Sequence, residues 1–257
     1  LTVYDTGGNV ATAESVYQVD EDLKVGLFTI TFIDLEIPMA GIPIQILRTY
    51  DSRDKGKGDF GVGWRLGVRT LRCRSNRVLG TGWQVFKSSL AYQMFPSDTH
   101  KVSITLPDGK VEEFDMNISP NPSVIVSFTS VNASFQPRPG TIGTLECMDD
   151  TALLVVGSQP GEVTLTDFTG NTFDPQNFRY TSLSGMKYMI NKSEGVKTVT
   201  DTNGNTLTID SGGITHSSGK SVVFARDALN RITSITDPNG NVQSYAYDGS
   251  GNLHSHT

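Results

Sequence analysis

Residues 222–252 read VVFARDALNRITSITDPNGNVQSYAYDGSGN, and in them short β-like runs alternate with a single turn chemistry. Asp237-Pro238-Asn239-Gly240 has the composition of a type I turn followed by a bulge. Asp bonds the backbone ahead of it, Pro presets φ, Asn follows, and Gly takes the left-handed position that closes the hairpin. Asp248-Gly249-Ser250-Gly251-Asn252 repeats this chemistry downstream, and Asp227-Ala228-Leu229-Asn230 precedes it with Asn where Gly would otherwise stand. A tip about every ten residues leaves strands of about five or six residues, the ordinary length.

The pattern D-x-x-G-N recurs at Asp5 to Asn9, Asp167 to Asn171 and Asp201 to Asn205, besides the two copies at the end. Pro107-Asp108-Gly109-Lys110 and Ser217-Ser218-Gly219-Lys220 are looser relatives, also set between β-like runs. So short an internal repeat points to serial hairpins, in which no unit buries a core alone and neighbours must pair or stack.

Composition bounds the rest. With 257 residues, 37% hydrophobic content and 26 glycines, the chain is long enough to bury a sizeable core. Its 21 basic and 27 acidic side chains give a net charge of −6 with no block of one sign, so neither nucleic acid nor an anionic membrane surface is an expected partner. No apolar run is long enough for a membrane span. Leu1 opens directly on polar β-like sequence, so the expectation is a piece of a longer polypeptide or one whose targeting region was removed. Cys73 and Cys147 share no short spacing and are expected as separate buried thiols rather than one long-range disulfide.

Residues 1–23 are expected as strand, tip and strand followed by the acidic connector Asp20-Glu21-Asp22, either the end of a preceding β module or one more repeat. From Lys24 the alternation strengthens. Phe28, Ile30 and Phe32, then Ile42, Ile44 and Ile46, have the period of half-buried strands, with Pro38 to Gly41 turning between them. In the block that follows, Phe60, Val62 and Trp64 alternate with Gly61 and Gly63, where glycine would let another backbone approach or admit the indole. Residues 70–195 read as continued β structure. Val102 to Leu106 and Val111 to Phe114 form a predicted hairpin, Val124 to Phe128 and Leu153 to Val156 are predicted strands, and Ile118 to Pro122 and Gln136 to Gly140 are predicted loops.

The run from Gly41-Ile42-Pro43-Ile44 through Arg48-Thr49-Tyr50-Asp51-Ser52 to Gly58-Asp59-Phe60-Gly61-Val62-Gly63-Trp64 resembles the opening segment of Rhs/YD-repeat proteins. Tyr245-Ala246-Tyr247-Asp248-Gly249-Ser250-Gly251-Asn252-Leu253 is similar to the YD repeat that names that family. The likeness covers roughly residues 24–257 and implies sheets that wind into a hollow shell around an enclosed polypeptide. It also raises the D-P-x-G cleavage motif of such proteins. Asp237-Pro238-Asn239-Gly240 lacks the residues that follow that motif and sits between repeats, so it is read as a turn only.

The chain offers little chemistry. His100, His216, His254 and His256 lie in no spacing that suggests a metal site or a nucleophile's base, and His254-Ser255-His256 is expected as a solvated terminus. The tips crowd hard oxygen ligands, yet lack the acidic ladder of a calcium loop, and turn formation accounts for the same residues. Gln243, Tyr245 and Tyr247 share one strand face, where tyrosines could stack on sugar rings but more often pack against the next hairpin. No catalytic, metal-binding or cofactor-binding residue is nominated, and no cofactor is expected.

The expected fold is all-β, serial antiparallel hairpins forming a curved sheet that is part of an Rhs/YD-repeat β-shell. The expected division is a preceding module or linker at 1–23, an opening segment with an irregular β region at 24–195, and a hairpin array at 196–257. The expected function is a non-catalytic structural segment of a large secreted or surface bacterial protein that encloses or presents another domain, a toxin included. An adhesion or glycan-binding module, or a strand-adding subunit of a filament or sheath, are the alternatives. Expected partners are the remainder of the same polypeptide, an enclosed cargo, or a further copy paired through an open sheet edge.

Overall fold

A computed structural model describes residues 2–4, 10–12, 28–67 and 71–257. It is all-β and antiparallel, with no α-helix among the described residues. Thr2–Tyr4 pairs with Val10–Thr12, while the tip Asp5 to Asn9 and the acidic connector at 20–22 lie outside the described residues.

The larger of two main sheets has ten strands. In spatial order they are Thr144–Cys147, Asn177–Thr181, Lys187–Asn191, Gly195–Thr200, Thr206–Ile209, Gly213–His216, Ser221–Arg226, Ile232–Thr236, Val242–Tyr247 and Leu253–His256. From Asn177 onward each strand pairs with its neighbour in the chain, as serial hairpins require. The fold includes a curled half-barrel sheet, and Leu253–His256 forms one edge of the ten-stranded sheet.

The tips explain that order. At Asp237 the carboxylate Oδ1 accepts the amides of Asn239 and Asn241, Oδ2 accepts the Asn241 side-chain amide, and the Gly240 amide closes the turn on the Asp237 carbonyl. Gly240 stands at φ 89°, the left-handed region that glycine adopts without strain. The same bonds recur at Asp167–Asn171, Asp201–Asn205 and Asp248–Asn252, and the backbone part of the pattern also at Asp227, where Asn230 takes φ 63°. Each Asp thus fixes a reversal within five residues. At Ser217–Lys220 the preceding His216 does this work, its Nδ1 accepting the Ser218 amide at 3.0 Å.

The second main sheet has nine strands and is not serial. Its order is Ser123–Val124, Ala91–Pro96, Trp83–Lys87, Gly161–Thr166, Ala152–Gly157, Ser130–Pro137, Val111–Ser119, Lys101–Thr105 and Arg72–Ser75. The predicted hairpin around Pro107 to Lys110 is present, as is the strand at Leu153 to Val156. Three expectations are corrected. Val124 to Phe128 leaves the sheet after Val124, because Ile125 turns to φ 75° and the Phe128 amide donates to the Gln159 side chain. Ile118 and Ser119 stay in the strand, paired with Ala133 and Asn132, so the predicted loop starts only at Pro120. Gln136 and Pro137 likewise continue their strand.

The two sheets share one core. Phe135 meets Phe178 edge-on with ring centroids 5.5 Å apart, and Phe114 meets Tyr180 at 6.4 Å. Burying side chains of this size stabilises by about 1.5–3 kcal/mol each. Glu112, fully buried, accepts from the Tyr180 hydroxyl at 2.9 Å and the Gly143 amide at 3.0 Å, so its charge is compensated inside the protein. Cys73 is buried and Cys147 half-buried, both as free thiols, and burial pushes their pKa values up to about 12 and about 11.

Candidate functional site

The opening segment forms a separate three-stranded sheet in the order Thr29–Ile37, Ile44–Asp51, Trp64–Leu66. Its first strand carries a bulge. Ile33 pairs with Leu47 and Leu35 with Ile46, which leaves Asp34 as the extra residue. A bulge re-aims the side chain it holds. Here it turns a carboxylate, with only 2% of the side chain exposed, toward the buried guanidinium of Arg48. Arg48 Nε donates to Asp34 Oδ2 at 2.8 Å and its terminal nitrogen to Oδ1 at 3.0 Å, a two-pronged pair.

The last hairpins of the ten-stranded sheet complete the cluster. The Tyr245 hydroxyl donates to Asp34 Oδ2 at 2.9 Å, and the Gln243 side-chain amide donates to the Asp34 carbonyl at 2.7 Å. The Arg48 guanidinium lies over the rings of Trp64, Phe32 and Tyr245 at 4.9, 5.1 and 6.0 Å. Burial, and then the charge of Asp34, push the Tyr245 phenol well above its usual range, so it stays a donor. With Arg48 and Tyr245 on its oxygens, Asp34 is committed to holding strands.

Residues 254–257 are exposed, as expected of a solvated terminus, yet His256 also touches this cluster. Its ring stacks on Tyr245 at 4.7 Å with an 11° interplanar angle, its Nδ1 lies 3.8 Å from Asp34, and its Nε2 lies 3.1 Å from Gln243. The reason is strand pairing, since His256 sits directly opposite Tyr245. His254 is exposed on the same strand. His100 is buried and stacked on Trp83, far from this cluster in the nine-stranded sheet.

Three further contacts tie the opening segment across the hairpins. Gly41 sits against the Asp201 tip, where a Cβ would fall 2.3 Å from Asp201 Oδ2. Asp59 binds Arg226 at 3.0 Å with both side chains buried, and its carbonyl accepts the Ile232 amide at 2.7 Å. The Val62 amide donates to the Gly251 carbonyl, and a Cβ on Gly61 would stand 2.6 Å from that same oxygen. Glycine at 61 is therefore required by backbone approach, as its alternation with apolar residues suggests. Phe60, fully buried, meets Tyr245 at 4.8 Å between ring centroids. The expected face of Gln243, Tyr245 and Tyr247 exists, and it is spent on this interface, with the Tyr247 hydroxyl bonded to the Ile232 carbonyl.

Residues 214–257 match the RHS Repeat family. This stretch thus carries an Rhs-type repeat. The match falls on the strands from Gly213–His216 to Leu253–His256, whose tips carry the repeated aspartates, and the opening segment locks onto this part of the Rhs-type sheet. No curated protein matches the chain in sequence.

Sequence reasoning missed Asp34 and Arg48. The signal was present, because Asp34 falls where the alternation of Phe28, Ile30 and Phe32 calls for the next apolar residue. No group of three His, Cys, Asp or Glu side chains able to hold a metal occurs among the described residues, and none of their helices is long and apolar enough to cross a membrane.

Proposed function

We propose that this chain is a non-catalytic wall segment of a large secreted or surface-displayed protein, in which a curved Rhs-type sheet encloses or presents another domain. The single observation that carries the reading is the lock at Asp34, Arg48 and Tyr245. It fixes a separate opening sheet across serial hairpins, so the chain's best-organised polar cluster serves to brace a surface. The division into an opening region at 24–195 and a hairpin array at 196–257 belongs to this proposal. The partner is the rest of the same polypeptide, or a cargo domain within it, including a toxin.

Protease protection tests the reading. In the full-length polypeptide, the enclosed domain is expected to resist digestion while the wall is intact and to become cleavable when Arg48→Met loosens the lock. Equal digestion of that domain in both proteins would refute enclosure. A screen of the purified chain against hydrolase substrates should give no turnover.

A second reading, an adhesion module, has one observation in its favour. Phe86 and Phe95 are about half exposed on the outer face of the nine-stranded sheet, with ring centroids 6.0 Å apart. Specific sugars retained on a glycan array, and lost on Phe86→Ala, would favour it over the wall.

A further inference from the structure

Two clefts share Arg65, Arg72 and Arg74 as a common wall, with volumes of about 610 and about 700 Å³. Both sizes suit a small ligand, for which pockets of roughly 300–1,000 Å³ are usual. Lys57, Lys192 and Lys197 add three more cations to the first cleft, in a chain whose net charge is −6.

Across the two clefts seven cations, Arg53 among them, face six carboxylates. Asp51, Asp54 and Asp108 line the second cleft and Asp59, Glu194 and Asp210 the first, and pairing leaves Lys57 and Arg74 as the uncompensated cations. Asp59 is bound to Arg226, Glu194 to Lys197, and Asp210 accepts the amides of Gly212 and Gly213. Arg65 and Arg72 share the single carboxylate of Asp54, which they hold down to a pKa of about 2, the hydrogen bond from Arg65 being the largest cause. Lys192 reaches Asp174 and the Ser75 hydroxyl. Lys57 and Arg74 are exposed and form no ion pair among the described residues. Like charges gathered in a concave surface repel one another and cost stability unless an anion joins them.

We propose that this basic trench binds a small ligand carrying two or more phosphate or sulfate groups. Arginine's planar fork matches such oxyanions, and Asp54 already shows how two guanidiniums here converge on one acidic group. Arg74 and Lys57 supply the unpaired charge, and Arg72 spans both clefts, so the anionic groups of one ligand can be held on either side of it. The site is independent of the wall function proposed above.

Calorimetric titration of the whole chain at low ionic strength tests this, with inorganic tripolyphosphate in one arm and a multiply sulfated disaccharide in the other. Saturable binding in either arm is expected, and the tighter arm identifies the source of the oxyanion. Lys57→Gln with Arg74→Gln should weaken it by about tenfold or more, with the thermal midpoint preserved, since neither side chain braces the fold. Arg74→Lys, which keeps charge without the fork, should fall between. Absence of binding in both arms, equal weakening by Lys220→Gln on a distant exposed turn, or binding of an acidic peptide alone would overturn the proposal.

Discussion

The ten-stranded sheet and the opening segment are held by opposite kinds of bond. In the sheet, each aspartate acts on backbone amides two and four residues ahead, and strands follow one another in chain order. In the opening segment, Asp34 reaches Arg48 across 14 residues and Tyr245 across 211. The first kind of structure recurs at each described copy of the motif. The second exists only when both regions are folded, so damage to it should spread further.

That contrast is sharpest at the buried ion pair. Arg48→Met leaves the Asp34 carboxylate buried without its cation, and chemical denaturation should show a loss of about 3–5 kcal/mol. Two glycines separate the regions next. Gly61→Ala places a Cβ 2.6 Å from the Gly251 carbonyl at φ 96°, and should cost about 3 kcal/mol by steric overlap and left-handed strain together. Gly240→Ala has almost the same φ with nothing within 4 Å, so only the conformational cost remains, about 1–2 kcal/mol. Equal losses at the two sites would erase the distinction between local and long-range bracing.

Acid should produce the smallest effect. Hydrogen bonds from Asn205, Asn241 and Asn252 hold Asp201, Asp237 and Asp248 below the usual carboxylate range, and Arg65 holds Asp54 at about 2. A carboxylate depressed in the folded state contributes stability above its unfolded pKa, about 3.9, and loses it as pH falls through the folded value. Unfolding midpoints measured down this range should therefore decline, and Asp54→Asn should make the decline shallower. An unchanged slope would show that Asp54 titrates alike in both states.

What the sequence discloses follows the same division. The tips are legible because Asp237, Pro238 and Gly240 complete their bonds among themselves. The Tyr245 face is legible from alternation, and so is the close backbone approach at Gly61. The partner of Tyr245 is not, because a bulge moves Asp34 out of the strand's period and its hydrogen bonds lie far along the chain. The nine-stranded sheet hides its order for a related reason. Trp83–Lys87 pairs with Gly161–Thr166, and no local motif encodes that choice. The contact of His256 with Tyr245 is not legible either, because its position opposite that ring depends on the register of the last hairpin.

The Rhs-type strands and the opening segment are expected to be energetically one unit. A double-mutant cycle between Tyr245→Phe and Asp34→Ala, read by chemical denaturation, measures this directly. A coupling of about 1.5–3 kcal/mol is expected for a hydroxyl donating to a buried carboxylate. Strictly additive losses would contradict it.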